Sequence, residues 1–498
     1  MRVARGATYL FLQGLIGSLA GVVYFAFAAR LLPTVAELGV VTALSMVSTL
    51  FVTFACLALP GAVTKYVAEY VGRARLDIAK GVSKAGFKIG IVTAFLSFSV
   101  CFLAAPFLAE LLLGDPLRAD LLRLLAIDIV PVVLVHFSTG IIYGLQDFRR
   151  YCFSSVFSTL VRFGGAVFLL FRGMGVAGIL IGWIVGDYVM LALTGYLSYV
   201  SLKGVAVNEY NFKRLLDYST PLYGSGILSY FSSTIDRYVI LGLAGASVLG
   251  IYSPAVTAAG VVGIVSGALS NALFPQLSQM YGRYGVDALK DASRTASRYV
   301  SLIYMPLAVG LAVTALPAIT LFAGGRYASG APALAVIALA SAVTCLGAVL
   351  NNVLLSIART RVFLVASFIA ISVDSLLCIL LVGPLGTLGA AISRASLILA
   401  LFLVPALWLR SIMGLSIDSE AYLKSLIGSA VMAGVVMVVE AYWTGRYLLP
   451  VYIMIGGTVY LAMLRLLRAV RQRDIELVRQ FLPFRVGLLD LLGKILAS

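Results

Sequence analysis

Long apolar stretches separated by short polar connections recur along the whole chain. A helix needs about 20 mostly apolar residues to cross the hydrocarbon core of a bilayer, and these stretches have that length. The pattern therefore predicts an all-α polytopic membrane protein with about fourteen transmembrane helices. The predicted helices cover approximately residues 7–31, 38–60, 87–109, 121–145, 152–172, 175–199, 217–244, 248–275, 297–323, 331–355, 361–382, 386–410, 422–443 and 447–469.

The composition agrees with a membrane protein and excludes several other classes. Apolar residues make up 61% of the chain and charged residues 12%, whereas soluble domains carry about 25% charged residues. The net charge of +16 does not indicate a nucleic-acid partner, because the cations lie in short connections and at both ends. The five cysteines form no C-x-x-C pair, and the sequence has one histidine and no P-loop motif. We therefore predict no metal centre, no cofactor and no nucleotide-driven motor.

Lysine and arginine are concentrated in alternate connections between the predicted helices. Roughly 28 of the 37 fall on one side of the membrane, which the positive-inside rule assigns to the cytoplasm. This predicts a multi-pass protein of the cell (plasma or inner) membrane with both termini in the cytoplasm. Three basic segments with apolar residues at helical spacing are predicted to lie on the inner membrane surface. They are residues 66–87, 276–299 and 471–498.

Sequence features recur at an offset of about 211 residues, which indicates an internal repeat. Leu38-Gly39 matches Leu249-Gly250, and Pro106 matches Pro317. Six predicted helices separate equivalent points, so both halves have the same orientation in the membrane. The repeat predicts two six-helix lobes related by a pseudo-two-fold axis along the membrane normal, followed by two additional helices. The predicted divisions are 1–203 and 204–415 for the lobes, 416–470 for the two helices and 471–498 for a cytoplasmic amphipathic tail.

Several short motifs accompany this architecture. Asp236-Arg237 in the seventh predicted helix is followed by Leu249-Gly250-Ile251-Tyr252, and the eighth ends in Leu273-Phe274-Pro275-Gln276-Leu277-Ser278. The fourth and tenth end in Gly144-Leu145-Gln146-Asp147-Phe148-Arg149 and Ser356-Ile357-Ala358-Arg359-Thr360-Arg361. In these motifs, and over about residues 5–410, the chain resembles the polysaccharide (O-antigen-type) flippases of the multidrug/oligosaccharidyl-lipid/polysaccharide (MOP) exporter superfamily.

The resemblance implies a transporter rather than an enzyme. Such a flippase moves a lipid-linked oligosaccharide, carried on a polyprenyl phosphate or pyrophosphate, from the cytoplasmic to the outer leaflet by alternating access, for synthesis of cell-surface polysaccharide or glycan. We expect a monomer that binds this substrate and membrane lipid. Whether a coupling cation also binds stays open. The first predicted helix lacks the charges of lipid II flippases and the acidic residue of many cation-coupled drug exporters, which favours oligosaccharide-lipid transport.

Three rival functions stay open at this stage. A cation-coupled drug or metabolite exporter of the same superfamily would have an acidic, aromatic cavity without the arginines. A membrane glycosyltransferase or polymerase would need an acidic motif or a domain in an outer loop, and the predicted outer connections are short. A protein that kept the fold and lost transport is the third.

Polar residues on the seventh predicted helix are the first candidates for the site. Ser225, Ser229, Ser233 and Asp236 recur at steps of three to four residues, so they are predicted to line a cavity. Hydrogen bonding between helices by small residues is the alternative. Arg237 is predicted to bind the phosphate of the head group, and Asp236 to pair with a cation. A structural salt bridge is the other interpretation of these two charges.

Further intramembrane polar residues have two interpretations each. Arg162 and Asp374 occupy equivalent repeat positions and are predicted either to pair with each other or to bind head group and coupling cation separately. Arg394 is predicted to bind the head group or to reach the outer interface. The remaining candidates are Asp128, His136 and Asp187 for ion coupling or charge pairing, Asn351 and Asn352 for sugar contacts, and Lys65 for the head group at the inner mouth.

Overall fold

The computed structural model describes residues 2–208, 210–357, 359, 361–414 and 417–469. Within these ranges all regular secondary structure is helical, which confirms the predicted all-α class. The predicted tail at 471–498 lies outside the described residues. The helices are α1 Arg2–Leu31, α2 Val35–Cys56, α3 Leu59–Gly72, α4 Leu76–Leu113, α5 Ala119–Gly144, α6 Phe148–Phe171, α7 Gly175–Ser201, α8 Phe212–Val313, α9 Ala315–Phe322, α10 Ala331–Val343, α11 Gly347–Ser356, α12 Arg361–Leu385, α13 Thr387–Met413, α14 Ser419–Tyr442 and α15 Leu449–Leu466.

Thirteen helical segments of the described chain are long and apolar enough to cross a membrane. The protein is therefore a multi-pass membrane protein, as predicted. One of these segments, Phe212–Gly263, is 52 residues long, more than twice what a single crossing requires. It contains the seventh predicted helix and the start of the eighth, which are counted together as one segment. The thirteen observed segments therefore agree with the fourteen predicted helices.

The α8 helix reverses direction near Gly245, although its residues are helical on both sides. The φ of Gly245 is +79°, in the left-handed region that glycine adopts readily. Tyr252 Oη donates a hydrogen bond to Asp236 Oδ2 at 2.7 Å across this point. Sixteen residues of a straight helix would span about 24 Å, so the two residues can meet only if the chain turns back. Residues 212–244 and 246 onward therefore form a helical hairpin.

The predicted surface helix at 66–87 differs from the structure. Its first part belongs to the short helix α3, and its second part is the beginning of α4, a single helix of 38 residues. Ala74 adopts a φ of +57° between them. No proline follows Leu76 until Pro106, so the helix that starts beside α3 continues into the third membrane span.

The chain divides into two compact units, Met1–Ser253 and Pro254–Ser498. The division falls later in the chain than the lobe boundary predicted at residues 203/204, because the first part of α8 packs against α2. Tyr230 of α8, for example, donates a hydrogen bond to the Met46 carbonyl oxygen at 2.9 Å. The division into lobes at 203/204 stays a prediction.

Within the first unit, α2 and α8 cross at repeat-equivalent glycines. A Cβ added to Gly39 would lie 1.8 Å from the Ala246 carbonyl oxygen, and one added to Gly250 would lie 2.0 Å from the Val35 carbonyl oxygen. An offset of 211 converts one contact into the other, because it relates Gly39 to Gly250 and Val35 to Ala246. The same offset separates Thr42 and Ser253, whose hydroxyl groups are 3.0 Å apart. Reciprocal contacts of this kind are what a two-fold relation produces. A local pseudo-two-fold axis therefore passes between Gly39 and Gly250.

The core of the second unit contains a buried ion pair. Arg298 Nη1 lies 3.3 Å from Asp418 Oδ2, and both side chains are almost fully buried. Arg298 also donates to the Ala469 carbonyl oxygen. Arg298 was expected in a surface segment, residues 276–299, whereas the structure buries that end of the segment against α14. Because breaking such a pair leaves a buried charge, it fixes α8 to the start of α14.

Candidate functional site

Arg162 and Asp187 form an ion pair inside the first unit. They lie on the neighbouring helices α6 and α7, and Arg162 Nη1 is 3.2 Å from Asp187 Oδ1. The helices approach closely because residue 186 is glycine: a Cβ there would lie 2.3 Å from Arg162 Cβ. The Arg162 side chain is 33% exposed, against 13% for Asp187. The Arg162 side chain is thus anchored by Asp187 and remains partly exposed.

Asp128 of α5 adds a second carboxylate to this pair. Its side chain is 1% exposed and lies within interaction distance of Asp187 and Arg162. Asp128 Oδ1 and Asp187 Oδ2 are both buried and receive no hydrogen bond from the described residues. The polar groups of this site, which we call the acidic cluster (Asp128, Arg162 and Asp187), are therefore incompletely satisfied.

Aromatic side chains enclose the acidic cluster. Tyr24 of α1 stacks on Phe163 with ring centroids 4.7 Å apart and meets Trp183 edge to face at 6.4 Å. The Arg162 guanidinium carbon lies 5.2 Å from the Trp183 ring centroid, within the range of a cation–π interaction.

Sequence reasoning identified all three charges of the acidic cluster but not their association. Arg162 was expected to pair with Asp374 or to bind substrate, and its ion-pair partner in the described chain is Asp187. Asp374 lies in α12 of the second unit, fully buried, and its predicted role is untested. Tyr24 and Trp183 were not predicted, because isolated aromatic residues in apolar helices give no signal that distinguishes a site from a core.

Asp236 and Arg237 have different surroundings in the α8 hairpin. Asp236 is fully buried and accepts hydrogen bonds from Tyr252 Oη at 2.7 Å and from the Arg237 backbone N–H at 2.9 Å. The Arg237 side chain is half-buried, and its Nε receives no acceptor. Among the described residues no carboxylate lies within ion-pair distance of its guanidinium. Arg237 therefore retains its capacity to bind an anion.

The serines and Asp236 of the predicted stripe differ in burial along the length of α8. Ser225, Ser229 and Ser233 are exposed, whereas Asp236 is buried toward the second arm of the hairpin. Ser225 and Ser233 direct their hydroxyl hydrogens to backbone carbonyls one turn earlier. Their oxygens keep free lone pairs on the exposed face, which is the side from which a sugar hydroxyl could approach.

Lys65 lies in a cluster of tyrosines at the end of the first unit that carries the basic connections. Its ammonium is 4.1 Å from the Tyr218 ring centroid and 4.6 Å from that of Tyr66. Tyr210 packs on Tyr66 at 5.7 Å, and burial raises the pKa of Tyr210 to about 12. The phenol thus stays neutral at physiological pH. The exposed ammonium of Lys65 is held in place by rings, and no carboxylate of the described residues pairs with it.

The remaining predicted residues differ in their burial. Asn351 of α11 is half-buried, and its side-chain oxygen receives no hydrogen bond in the described chain. Asn352 is buried and Arg394 of α13 is half-buried. His136 is exposed on α5, while Asp128 on the same helix is buried. A proton relay from His136 to Asp128 stays a prediction.

The hydrogen bond from Tyr252 to Asp236 gives a first testable prediction. In Tyr252→Phe the buried carboxylate loses the Tyr252 hydroxyl as a donor, and an unmade bond to a charged buried group costs about 1.5–3 kcal/mol. We expect a lower unfolding temperature of the purified protein, measured by differential scanning fluorimetry in detergent. Tyr442→Phe is a matched control, because Tyr442 is 84% exposed. Equal unfolding temperatures of the two variants would contradict the role given to Tyr252.

The fold is that of MOP-superfamily transporters. A solved structure of the lipid II flippase MurJ in an inward closed conformation superposes with a TM-score of 0.74 and 17% sequence identity, covering 91% of this chain and 97% of that protein. Fold similarity at this identity says nothing by itself about the substrate.

A family model described as polysaccharide biosynthesis protein matches residues 27–332. The match covers more than half of the chain, so this protein belongs to the polysaccharide biosynthesis protein family, in agreement with the resemblance seen in the sequence.

Two curated relatives are named as flippases. The probable low-salt glycan biosynthesis flippase Agl15 of Haloferax volcanii is 20% identical over 485 residues, covering 97% of this chain and 100% of that protein. The lipid II flippase MurJ of Bacillus subtilis is 28% identical over 130 residues. That second match covers 24% of this chain and spans 23% of the length of the Bacillus protein.

Proposed function

We propose that this protein flips a lipid-linked oligosaccharide, carried on a polyprenyl phosphate or pyrophosphate, from the cytoplasmic to the outer leaflet. The observation that supports this most strongly is Arg237, a half-buried guanidinium in a membrane helix with no carboxylate partner among the described residues. A cation in such a position is costly and is stabilised when an anion binds it. A phosphate suits a guanidinium because two of its oxygens can accept parallel hydrogen bonds.

The substrate's two parts set different requirements. The polyprenyl tail stays in hydrocarbon, while the anionic head and its sugars lose hydration and need polar replacements during transfer. Arg237 is proposed to supply positive charge to the anionic head, and so is Arg162, whose side chain is partly exposed. Sugar hydroxyls are proposed to contact the exposed serines of α8 together with Asn351 and Asn352. The head group is proposed to contact Arg394.

Lys65 is proposed to receive the head group first. Its ammonium is exposed and oriented by Tyr66 and Tyr218, near the basic residues that the positive-inside rule places in the cytoplasm. The proposal places the protein in the cell membrane with both termini in the cytoplasm. It has a monomer work by alternating access, and the gradient of a coupling cation supplies the energy. Catalysis of a covalent step is not part of it.

Binding specificity tests the substrate class. Purified protein is heated with a polyprenyl pyrophosphate, with the uncharged polyprenol of equal length, or with a lipophilic organic cation. We expect the pyrophosphate alone to raise the unfolding temperature, because ligands that bind only the native state stabilise it. Arg237→Ala should lose most of this shift. Stabilisation by the organic cation instead would contradict a flippase and favour a cation-coupled exporter.

A further inference from the structure

The acidic cluster contains two carboxylates and one guanidinium in the interior of a membrane protein. Asp128 Oδ1 and Asp187 Oδ2 are buried and receive no hydrogen bond from the described residues. The two carboxyl groups lie close enough to interact with each other. Buried acceptors without donors are rare in native proteins, and each case needs a physical explanation.

We propose that the acidic cluster binds one proton, shared between Asp128 and Asp187, and that this proton is the coupling cation of the transporter. The proposal rests on the proposed flippase function for its coupling role only; the proton site itself stands on the geometry. Adding a proton converts one carboxylate oxygen into a donor and supplies the bond that both groups lack. It also changes the charge of the cluster from −1 to zero.

The surroundings favour a proton over a metal ion. Arg162 Nη1 is 3.2 Å from Asp187 Oδ1, so a second cation at that carboxylate would be repelled. No group of three or more His, Cys, Asp or Glu suited to a metal occurs in the part of the chain that the structure describes. A proton needs no coordination shell and becomes part of the carboxyl group.

The groups that face the cluster come from several helices. Asp187 and Trp183 belong to α7, Arg162 to α6, and Tyr24 to α1, where its side chain lies near Arg162. The charged groups that interact with Asp128 are Asp187 and Arg162. Helices α2, α3 and α4 also pack on α5, and none of their described residues adds a charge to that set. His136 on α5 itself is exposed.

Proton binding and head-group binding are linked through Arg162. The Arg162 side chain is 33% exposed, and its Nε has no acceptor in the described chain. When the cluster is deprotonated, two carboxylates compete with an anionic ligand for this guanidinium. When the cluster holds a proton, one negative charge is removed and the exposed side of Arg162 attracts phosphate more strongly. By linkage, the head group raises proton affinity by the same factor.

Infrared spectroscopy of the full chain tests the proton site without transport. We expect wild type to show a protonated carboxyl stretch that disappears when the pH is raised. Asp128→Asn should lose this band, and Asp187→Asn provides a second variant in case one folds poorly. Asp120→Asn is the matched control, because the Asp120 side chain is 84% exposed at the surface. An unchanged titrating band in both cluster variants would overturn the proposal.

The coupling role is tested by head-group affinity as a function of pH. With a polyprenyl pyrophosphate as probe, wild type should bind about fivefold to a hundredfold more tightly in acid than in alkali, the range typical of coupled sites. Asp128→Asn should bind independently of pH, near the wild-type acid value. The coupling would be overturned if head-group affinity still depended on pH in Asp128→Asn. It would also be overturned if the affinity of wild type depended on sodium concentration and not on pH. Failure of wild type to bind the probe at any pH would contradict the flippase function and leave the infrared result standing.

Discussion

Arg237→Ala is expected to reduce translocation of a lipid-linked oligosaccharide by about tenfold to a hundredfold, because hydrogen bonds to charged groups contribute about 1.5–3 kcal/mol. The guanidinium has no carboxylate partner in the described chain, so its removal leaves no buried charge behind. The unfolding temperature without substrate should therefore stay near that of wild type. Asp236 keeps the bond from Tyr252 and the backbone N–H of residue 237.

A further variant separates charge from geometry at this position. Arg237→Lys keeps the charge but loses the planar pair of donors, and we expect intermediate translocation. Arg446→Ala is a matched control, since Arg446 is exposed in the connection before α15. Wild-type translocation in Arg237→Ala, measured with the same vesicles, would remove Arg237 from the head-group site.

The second large effect is expected at the crossing of α2 and α8. Gly39→Ala and Gly250→Ala should each lower the free energy of unfolding by about 3 kcal/mol, the upper end of the usual cost of overpacking. The added methyl group would meet a backbone carbonyl oxygen at 1.8 Å or 2.0 Å, and a carbonyl cannot rotate away as a side chain can. Because the contacts are reciprocal, the two variants should lose similar amounts.

Gly242→Ala is the control for this pair. It lies in the same hairpin, and a Cβ there would meet nothing within 4 Å. We expect it to be neutral or slightly stabilising, as alanine restricts the unfolded chain. Thermal unfolding in detergent measures all three. If Gly39→Ala and Gly242→Ala unfold at the same temperature, the helices do not cross as closely as described.

The membrane spans and the repeat could be predicted from the sequence because both depend on local or periodic features. The length of an apolar stretch determines whether it crosses a bilayer, and Gly245 lies in the connection at residues 244–247 where the pattern predicted a reversal. The offset of 211 found in the sequence is also the offset of the Thr42–Ser253 hydrogen bond. These features need no knowledge of which helices are neighbours.

The charge pairing could not be predicted in the same way. Arg162 and Asp187 are 25 residues apart on adjacent helices, and nothing in either helix distinguishes Asp187 from Asp374 as a partner. The burial of individual α8 residues could not be predicted for a similar reason. Residues 233 and 236 lie about 60° apart on a helix, so the pattern assigned both to one stripe. Packing against the second arm of the hairpin buries Asp236 and leaves Ser233 exposed.

Translocation by purified protein in lipid vesicles is the most direct test of the central claim. The vesicles carry a fluorescent oligosaccharide on polyprenyl pyrophosphate, and a membrane-impermeant quencher reports how much of it reaches the outer leaflet. Wild type should make the inner-leaflet pool accessible to the quencher when a proton gradient is applied, and Arg237→Ala should do so much more slowly. An inner-leaflet pool that stays protected with wild type, under a proton gradient, a sodium gradient and a membrane potential alike, would contradict the proposed flippase.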